Sequence, residues 1–329
     1  MHFSHFRPNV ARLAVGVAAT AIVQLAPSPA DAQSYPNRPI RIVVPFSAGG
    51  PNDILARAVG HKLSERLKQQ VIVDNRPGGG TVIGTDIAAH TPADGYTLLM
   101  ASTSHAVNPT LRKSLPYDPD KDLDLVILLA KAPNLAVVHP SLPVRSVKQM
   151  IALANARPGE ITYGSGGVGA STHLAGALLS NMAKVKMIHV PFKGGAPATV
   201  ALISGEITWM FGTFPTTIPH ARAKRVIVIG TGGLKRSPVL PDVPTVADTV
   251  PGFESVGWWG VMAPAGVPGP VMKRINAEIN ASLGDLQQQL LRDGTESVGG
   301  SPADFKRFFD AERKKWSDVI KDLGIKPIG

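Results

Sequence analysis

The chain has 329 residues, 34 Lys and Arg against 24 Asp and Glu, a formal charge of +10, and no cysteine. Disulfides, thiolate nucleophiles and cysteine-ligated metals are excluded, and a chain of this length can bury one large core or two. Lys and Arg are dispersed, aromatics make up only 5%, and no DNA- or RNA-binding motif occurs, so the charge reads as a bias towards small anions or a membrane surface.

Arg7 and Arg12 precede an apolar segment, Leu13 to Leu25, and Ala30-Asp31-Ala32 supplies the small residues that a signal peptidase reads. Residues 1–32 are therefore expected to be a cleaved signal peptide, and loss of Arg7, Arg12 and Asp31 lowers the charge from +10 to +9. No later stretch approaches the ~20 uninterrupted apolar residues of a membrane span.

Ile40 to Val44 has the length and β-branching of a buried strand, and it stops at Pro45. Ser47, Ala48, Gly49, Gly50 and Pro51 form a turn. Behind Asn52 and Asp53, the residues Ile54, Leu55, Ala58, Val59 and Leu63 recur at helical spacing. A strand, a glycine turn and a helix in that order bring bare N–H groups and a positive helix end to one point, where a carboxylate or phosphate can sit. The plainer reading is that Gly49 and Gly50 only let the chain turn. Asp53 suits a structural role, because beside an anion it would be repulsive.

The same grammar repeats. Strands are expected at Val71–Val73, Tyr96–Met100, Leu125–Ala130, Leu135–Val138, Ile161–Tyr163, Met187–Val190, Ile207–Phe211 and Val226–Ile229, and helices at Val82–Ala89, Ser146–Asn155, Ser171–Met182 and Ala196–Ile203. Alternating β and α predicts an α/β fold with largely parallel sheets, whose ligands bind at the carboxyl ends of the strands. Glycine and hydroxyl residues lie at those ends: Ser102 to His105, Gly164 to Ala170, Gly194-Gly195 and Gly212 to Pro215. The last quarter is irregular up to a strand at Trp258–Met262, followed by helices at Pro268–Leu283 and Ser301–Leu323. In the latter, Phe305, Phe309, Trp316 and Ile320 form a core stripe.

Gly164-Ser165-Gly166-Gly167-Val168-Gly169 matches G-x-G-x-x-G, but no Asp or Glu follows until Glu206, so a dinucleotide site is set aside. That acid-free stretch carries Lys184, Lys186, Lys193, His173 and His189 and is electropositive. Ser102, Ser104, Ser165 and Ser171 with His105, His173 and His189 could be assembled into a hydrolase triad by the fold. His173, inside a helical pattern with Leu174 and Leu178, reads better as a packing residue. No His, Asp or Glu cluster has metal-ligand spacing.

Eight stretches in order resemble the Bug-type extracytoplasmic solute receptors of tripartite tricarboxylate transporters. They are Tyr35–Ile40, Val44–Asp53, Val73–Gly80, Pro92–Leu99, Ser171–Leu174, His189–Gly194, Arg236-Ser237-Pro238 with Leu240–Val246, and Ala263–Pro268. The resemblance implies a two-lobed periplasmic binding protein, type II-like, that closes on a small organic acid without turnover. Lobe 1 would comprise 33–131 and 257–329, and lobe 2 would comprise 132–256. The ligand would lie at Phe46, Ser47, Ala48, Gly49 and Gly50, with Ser102, Ser104 and His105, with Ser165, Gly166, Gly167, Ser171 and Thr172, and with Gly212, Thr213 and Phe214. No cofactor and no metal are implied. The expected partners are a small carboxylate and, transiently, inner-membrane transporter subunits, with no nucleic acid, and the receptor is expected to be a monomer in the periplasm. Many members carry acids where this chain has Thr208 and Gly212, and a hydroxyl where it has Ala170. Loss of an acid argues against an amino-acid ligand and favours a mono- or dicarboxylate, aromatic acids included. The alternative is a periplasmic hydrolase using a Ser/His pair.

Overall fold

In the computed structural model, which describes residues 1–3 and 35–328, the run Ile40–Val44 is strand β1 and Pro51–Leu67 is helix α1. The expected signal peptide lies outside the described residues, apart from residues 1–3. Leu55, Ala56, Val59 and Leu63 of α1 are buried against the sheet, and Gly60 lets the helix approach, since a Cβ there would lie 3.2 Å from Val71 Cγ1. Four more strands each run into a helix: β3 (Thr97–Ser102) into α3 (Thr103–Leu111), β5 (Thr162–Ser165) into α5 (Ser171–Met182), β6 (Ile188–Pro191) into α6 (Gly195–Ser204), and β7 (Trp209–Thr213) into α7 (Phe214–Arg222). The other elements are β2 (Val71–Asn75), α2 (Val82–Ala89), β4 (Leu123–Val138), α4 (Val147–Ala156), β8 (Ile227–Thr231), β9 (Val256–Pro264), α8 (Gly269–Arg292), β10 (Glu296–Ser297) and α9 (Pro302–Asp322).

The strand order is β2-β1-β3-β9-β4-β7-β5-β6, with β8 and β10 paired to β4. The expectation of largely parallel sheets holds for the two outer groups, β2-β1-β3 and β7-β5-β6. Between them, β9 and β4 are antiparallel to their neighbours, so the sheet is mixed. Along Leu123–Pro133, β4 pairs with β9, and along Asn134–Val138 it pairs with β7 and β8. The two strands expected on either side of Pro133-Asn134 are therefore one. Proline, which has no N–H to give a ladder, sits where the strand changes partners.

Two helices stand where loops are expected. Thr103–Leu111 and Phe214–Arg222 are nine-residue helices holding Pro109 and Pro219, and proline within an apparent loop hides such short helices from periodicity. The aromatic stripe of α9 is buried as expected: Phe305 and Trp316 are fully covered, with Phe309 and Ile320 beside them. Trp258 and Trp316 both donate their indole N–H to Glu312 Oε2, at 3.0 Å, which locks α9 onto β9.

Candidate functional site

Five strand-to-helix turns open on one cavity of about 40 Å3. Phe46, Pro51 and Asn52 come from the start of α1, Ser102, Thr103 and Ser104 from that of α3, and Ala170, Ser171 and Thr172 from that of α5. Gly166 precedes α5, Gly195 opens α6, Thr213 precedes α7, and Trp258 and Trp259 enter from β9. The antiparallel register sets Trp259 directly opposite Ser102. Among the described residues, no Lys, Arg, His, Asp or Glu lines the cavity. Its positive potential comes from helix ends, whose first N–H groups have no partner within the helix.

Four of the five helices have no side-chain hydrogen bond from the N-cap residue, and α3 carries a capping box between Ser102 and His105. By contrast, α4 and α9 begin away from the cavity and are capped by Ser146 and Ser301, each accepting a backbone N–H at 3.2 Å. The starts of α2 and α8 are uncapped as well, so what distinguishes the cavity is convergence. Three buried donors in its wall, Asn52 Nδ2, Ser102 Oγ and Thr103 Oγ1, have no protein partner. A buried polar group without a hydrogen bond is costly, and a ligand with several acceptor oxygens would satisfy all three. Three other wall hydroxyls are committed. Thr172 Oγ1 accepts from Gly166 N–H at 2.9 Å, Thr213 and Thr216 hydroxyls meet at 2.9 Å, and Ser171 Oγ donates to Asn134 Oδ1 at 3.2 Å. Asn134 is the residue at which β4 changes partners.

Of the residues named from sequence, Phe46, Ser102, Ser104, Gly166, Ser171, Thr172 and Thr213 are brought together at this cavity. Others are placed elsewhere. Ser47 is bonded to Lys193 O, while Ala48 and Gly49 lie exposed on the outer side of the turn. Gly50 is the N-cap of α1, buried where a Cβ would sit 3.7 Å from Gly195 N. Gly167, at φ +117, packs on Phe192 O, and Gly212 leaves room for Thr217, whose Oγ1 a Cβ would meet at 2.3 Å. Phe214 is fully buried against Gly294, and His105 and Ser165 lie behind the wall. Pro51, Asn52, Thr103, Ala170, Gly195, Trp258 and Trp259 also line the cavity and are not among the contacts expected from sequence. Asn52 and Thr103 carried a signal, because Asn52 directly follows a turn read as a helix start and Thr103 lies within the Ser102–His105 stretch.

Asp53 shows why an acid can stand so near. Its Oδ2 accepts the Gly49 N–H at 2.9 Å and faces Arg57 Nε at 3.0 Å, and its Oδ1 lies 3.0 Å from Arg57 Nη2. Burial works to raise its pKa, but the Arg57 and Gly49 hydrogen bonds outweigh this and hold it below the ordinary carboxylate value. The charge is spent on fixing the turn.

The Ser/His pairs do not face the cavity. His189 Nε2 lies 2.6 Å from Ser165 Oγ, but Ser165 is fully buried and also bonded to Gly167 N–H at 3.1 Å. The His189 ring stacks on Tyr163 and lies tilted against His173, and burial, followed by the neighbouring His173, lowers its pKa to about 3. A base that weak, beside a hydroxyl no substrate can reach, fits packing better than proton transfer.

Residues 55–325 match the family described as tripartite tricarboxylate transporter family receptor. Protein BugT of Bordetella pertussis is 34% identical over 91% of this chain and 93% of its own. Among solved structures, R. palustris Rpa4515 with adipate superposes with a TM-score of 0.87 at 36% identity, covering 89% of this chain and all of that one. MatC from Rhodopseudomonas palustris with bound malate gives 0.83 at 29% identity, covering 87% of this chain and all of its own. The fold is that of a two-lobed periplasmic binding protein, and the chain belongs to the Bug-type receptors of the tripartite tricarboxylate transporter family.

Proposed function

We propose that this receptor captures a small mono- or dicarboxylate in the periplasm and delivers it to inner-membrane subunits of a tripartite tricarboxylate-type transporter, without chemical turnover. The observation that carries the proposal is a cavity in which five helix N-termini and three unpartnered neutral donors converge, with no charged side chain among the described residues that line it. Helix dipoles and hydrogen-bond donors stabilise a carboxylate there, while an ammonium group would find no acidic counterpart. Adipate in Rpa4515 and malate in MatC support the ligand class.

The cleft lies between lobe 1, residues 33–131 with 257–329, and lobe 2, residues 132–256, and the exchange of partners at Pro133-Asn134 supports that boundary. A cavity of about 40 Å3 takes roughly three water-sized groups at 10–15 Å3 each. Short acids therefore suit this closed shape, and longer ones require a wider cleft.

The test is a thermal-shift screen of residues 33–329 against aliphatic, hydroxylated, aromatic and amino carboxylates. Saturation at ~100 times Kd adds about 2.7 kcal/mol of stability. A shift with non-amino acids only is expected, and recovery of the acid unchanged after long incubation separates a receptor from a hydrolase. A preference for amino acids, or consumption of the bound acid, overturns the proposal.

A further inference from the structure

The two walls of the cavity repeat a short pattern, Ser102-Thr103-Ser104-His105 at the start of α3 and Ala170-Ser171-Thr172-His173 at the start of α5. In both, histidine is the third residue of the helix and reaches back to a backbone N–H just before it. His105 Nδ1 accepts from Ser102 N–H at 3.1 Å, and His173 Nδ1 accepts from Gly169 N–H at 3.3 Å. Glu or Gln ordinarily makes this reciprocal bond. In α9, away from the cavity, an acid does: Asp304 Oδ2 accepts from Ser301 N–H at 2.8 Å.

A carboxylate at the third position of α3 or α5 would oppose an anion bound at the same helix end. An imidazole supplies the acceptor without the charge. Resting on the carboxylate reading above, we infer that His105 and His173 are positioning residues: neutral braces that fix the N-termini of α3 and α5 around the cavity while leaving their positive potential to the ligand.

The hydrogen bonds favour one tautomer at His105. Thr85 Oγ1 donates to Thr81 O at 2.9 Å and so can accept from His105 Nε2–H at 3.0 Å; Nδ1, 3.1 Å from Ser102 N and 3.3 Å from Ser102 O, then accepts the Ser102 N–H. Burial lowers both histidines to about 4, partly offset at His105 by Ser102, so both are neutral near pH 7. The titratable groups around His173 are His189, its ring tilted against that of His173 at 4.0 Å, with Tyr163, Lys184 and Lys186 along the groove beside it, and among the described residues no carboxylate lines that groove. A third helix has the same kind of brace: Asp53 of α1 makes the equivalent bond to Gly49 with Arg57 cancelling its charge, so each of the three helices presents a brace without net negative charge.

The experiment compares Gln, Glu and Leu at each position, with malate and adipate as probes and melting temperature as a check on folding. Gln keeps a neutral acceptor, so H105Q and H173Q should bind within about threefold of wild type. Leu removes the acceptor and should weaken binding about tenfold. Glu keeps the acceptor but adds charge, and should weaken binding thirtyfold or more at pH 8. Equal affinities for Gln and Leu, or for Gln and Glu, overturn the inference. Should a Glu variant fail to fold, the Gln-to-Leu comparison still decides. Histidine ring NMR of the ligand-free protein at pH 7.5 is independent of any ligand: both rings should carry the proton on Nε2, and protonated Nδ1 atoms would overturn the inference. Failure of wild type to bind any carboxylate, with the tautomers as stated, would instead discard the carboxylate reading.

Discussion

Lys193 O accepts two hydrogen bonds from Ser47, 146 residues earlier, one from its N–H at 3.1 Å and one from its Oγ at 2.8 Å. The pair joins the turn after β1 to the turn after β6, next to Phe46 and Gly195 of the cavity wall. Gly194 permits it, lying at φ +143, where a Cβ would stand 3.3 Å from Ser47 N. Ser47 was read from sequence as a ligand contact, whereas here it ties the two sides together.

Ser47→Ala should therefore act on closure. One half-exposed hydroxyl contact contributes about 0.5–1.5 kcal/mol, and a receptor that binds tightly only when closed loses affinity by that amount, about two- to tenfold in Kd. Fluorescence titration should show faster dissociation and an unchanged melting temperature of the ligand-free protein. A Kd equal to wild type would remove Ser47 from the closing contact.

Thr103→Val tests the unpartnered donors. Valine matches threonine in shape, and Thr103 is 2% exposed with its Oγ1 unbonded. Removing a buried hydroxyl that lacks a partner should leave the ligand-free protein as stable as wild type, or up to about 1 kcal/mol more stable, while binding of a carboxylate falls about tenfold. Calorimetry and thermal melts on one preparation read both. Lower stability with unchanged binding would mean that the hydroxyl serves the fold and not the ligand.

The contrast between these residues shows what a sequence reveals. Strand-turn-helix units repeat locally, so β1 with α1, and β5 with α5, could be read from β-branched runs, glycine turns and helical spacing, and the turns named then do meet at the cavity. Trp259 could not be placed, because its position opposite Ser102 is set by an antiparallel register between strands more than 150 residues apart. Nor could the role of Gly212 be read: it lies at the carboxyl end of β7, and its missing side chain makes room for Thr217. Helices α3 and α7 were hidden by Pro109 and Pro219.

Buried neutral histidines make stability depend on pH. His105 and His173 are each lowered from 6.5 to about 4, chiefly by burial. The unfolded chain takes up these protons below about pH 6.5 and the folded chain only near pH 4, so the unfolded state binds more protons in that window and stability falls as pH falls. Each group accounts for about 3 kcal/mol at the end of the window. Denaturant melts at pH 7.5, 6, 5 and 4 should show a steady loss below pH 6.5, smaller in H105Q and H173Q. A flat profile would mean that the histidines titrate alike in the folded and unfolded chains.

Salt separates dipole-held from charge-held anions. Among the described residues no Lys or Arg lines the wall, so the positive charge of the chain acts on a ligand only from a distance. The Debye length shrinks from about 10 Å at 0.1 M salt to about 3 Å at 1 M, which screens those distant charges but not N–H groups touching the ligand inside a closed cleft. Between 0.05 and 0.5 M NaCl, Kd for the selected acid should rise by no more than about threefold, mainly through slower association. A tenfold or greater rise would require a cation in contact with the carboxylate, and Lys193, whose carbonyl already holds Ser47 next to the cavity wall, would be the first residue to replace.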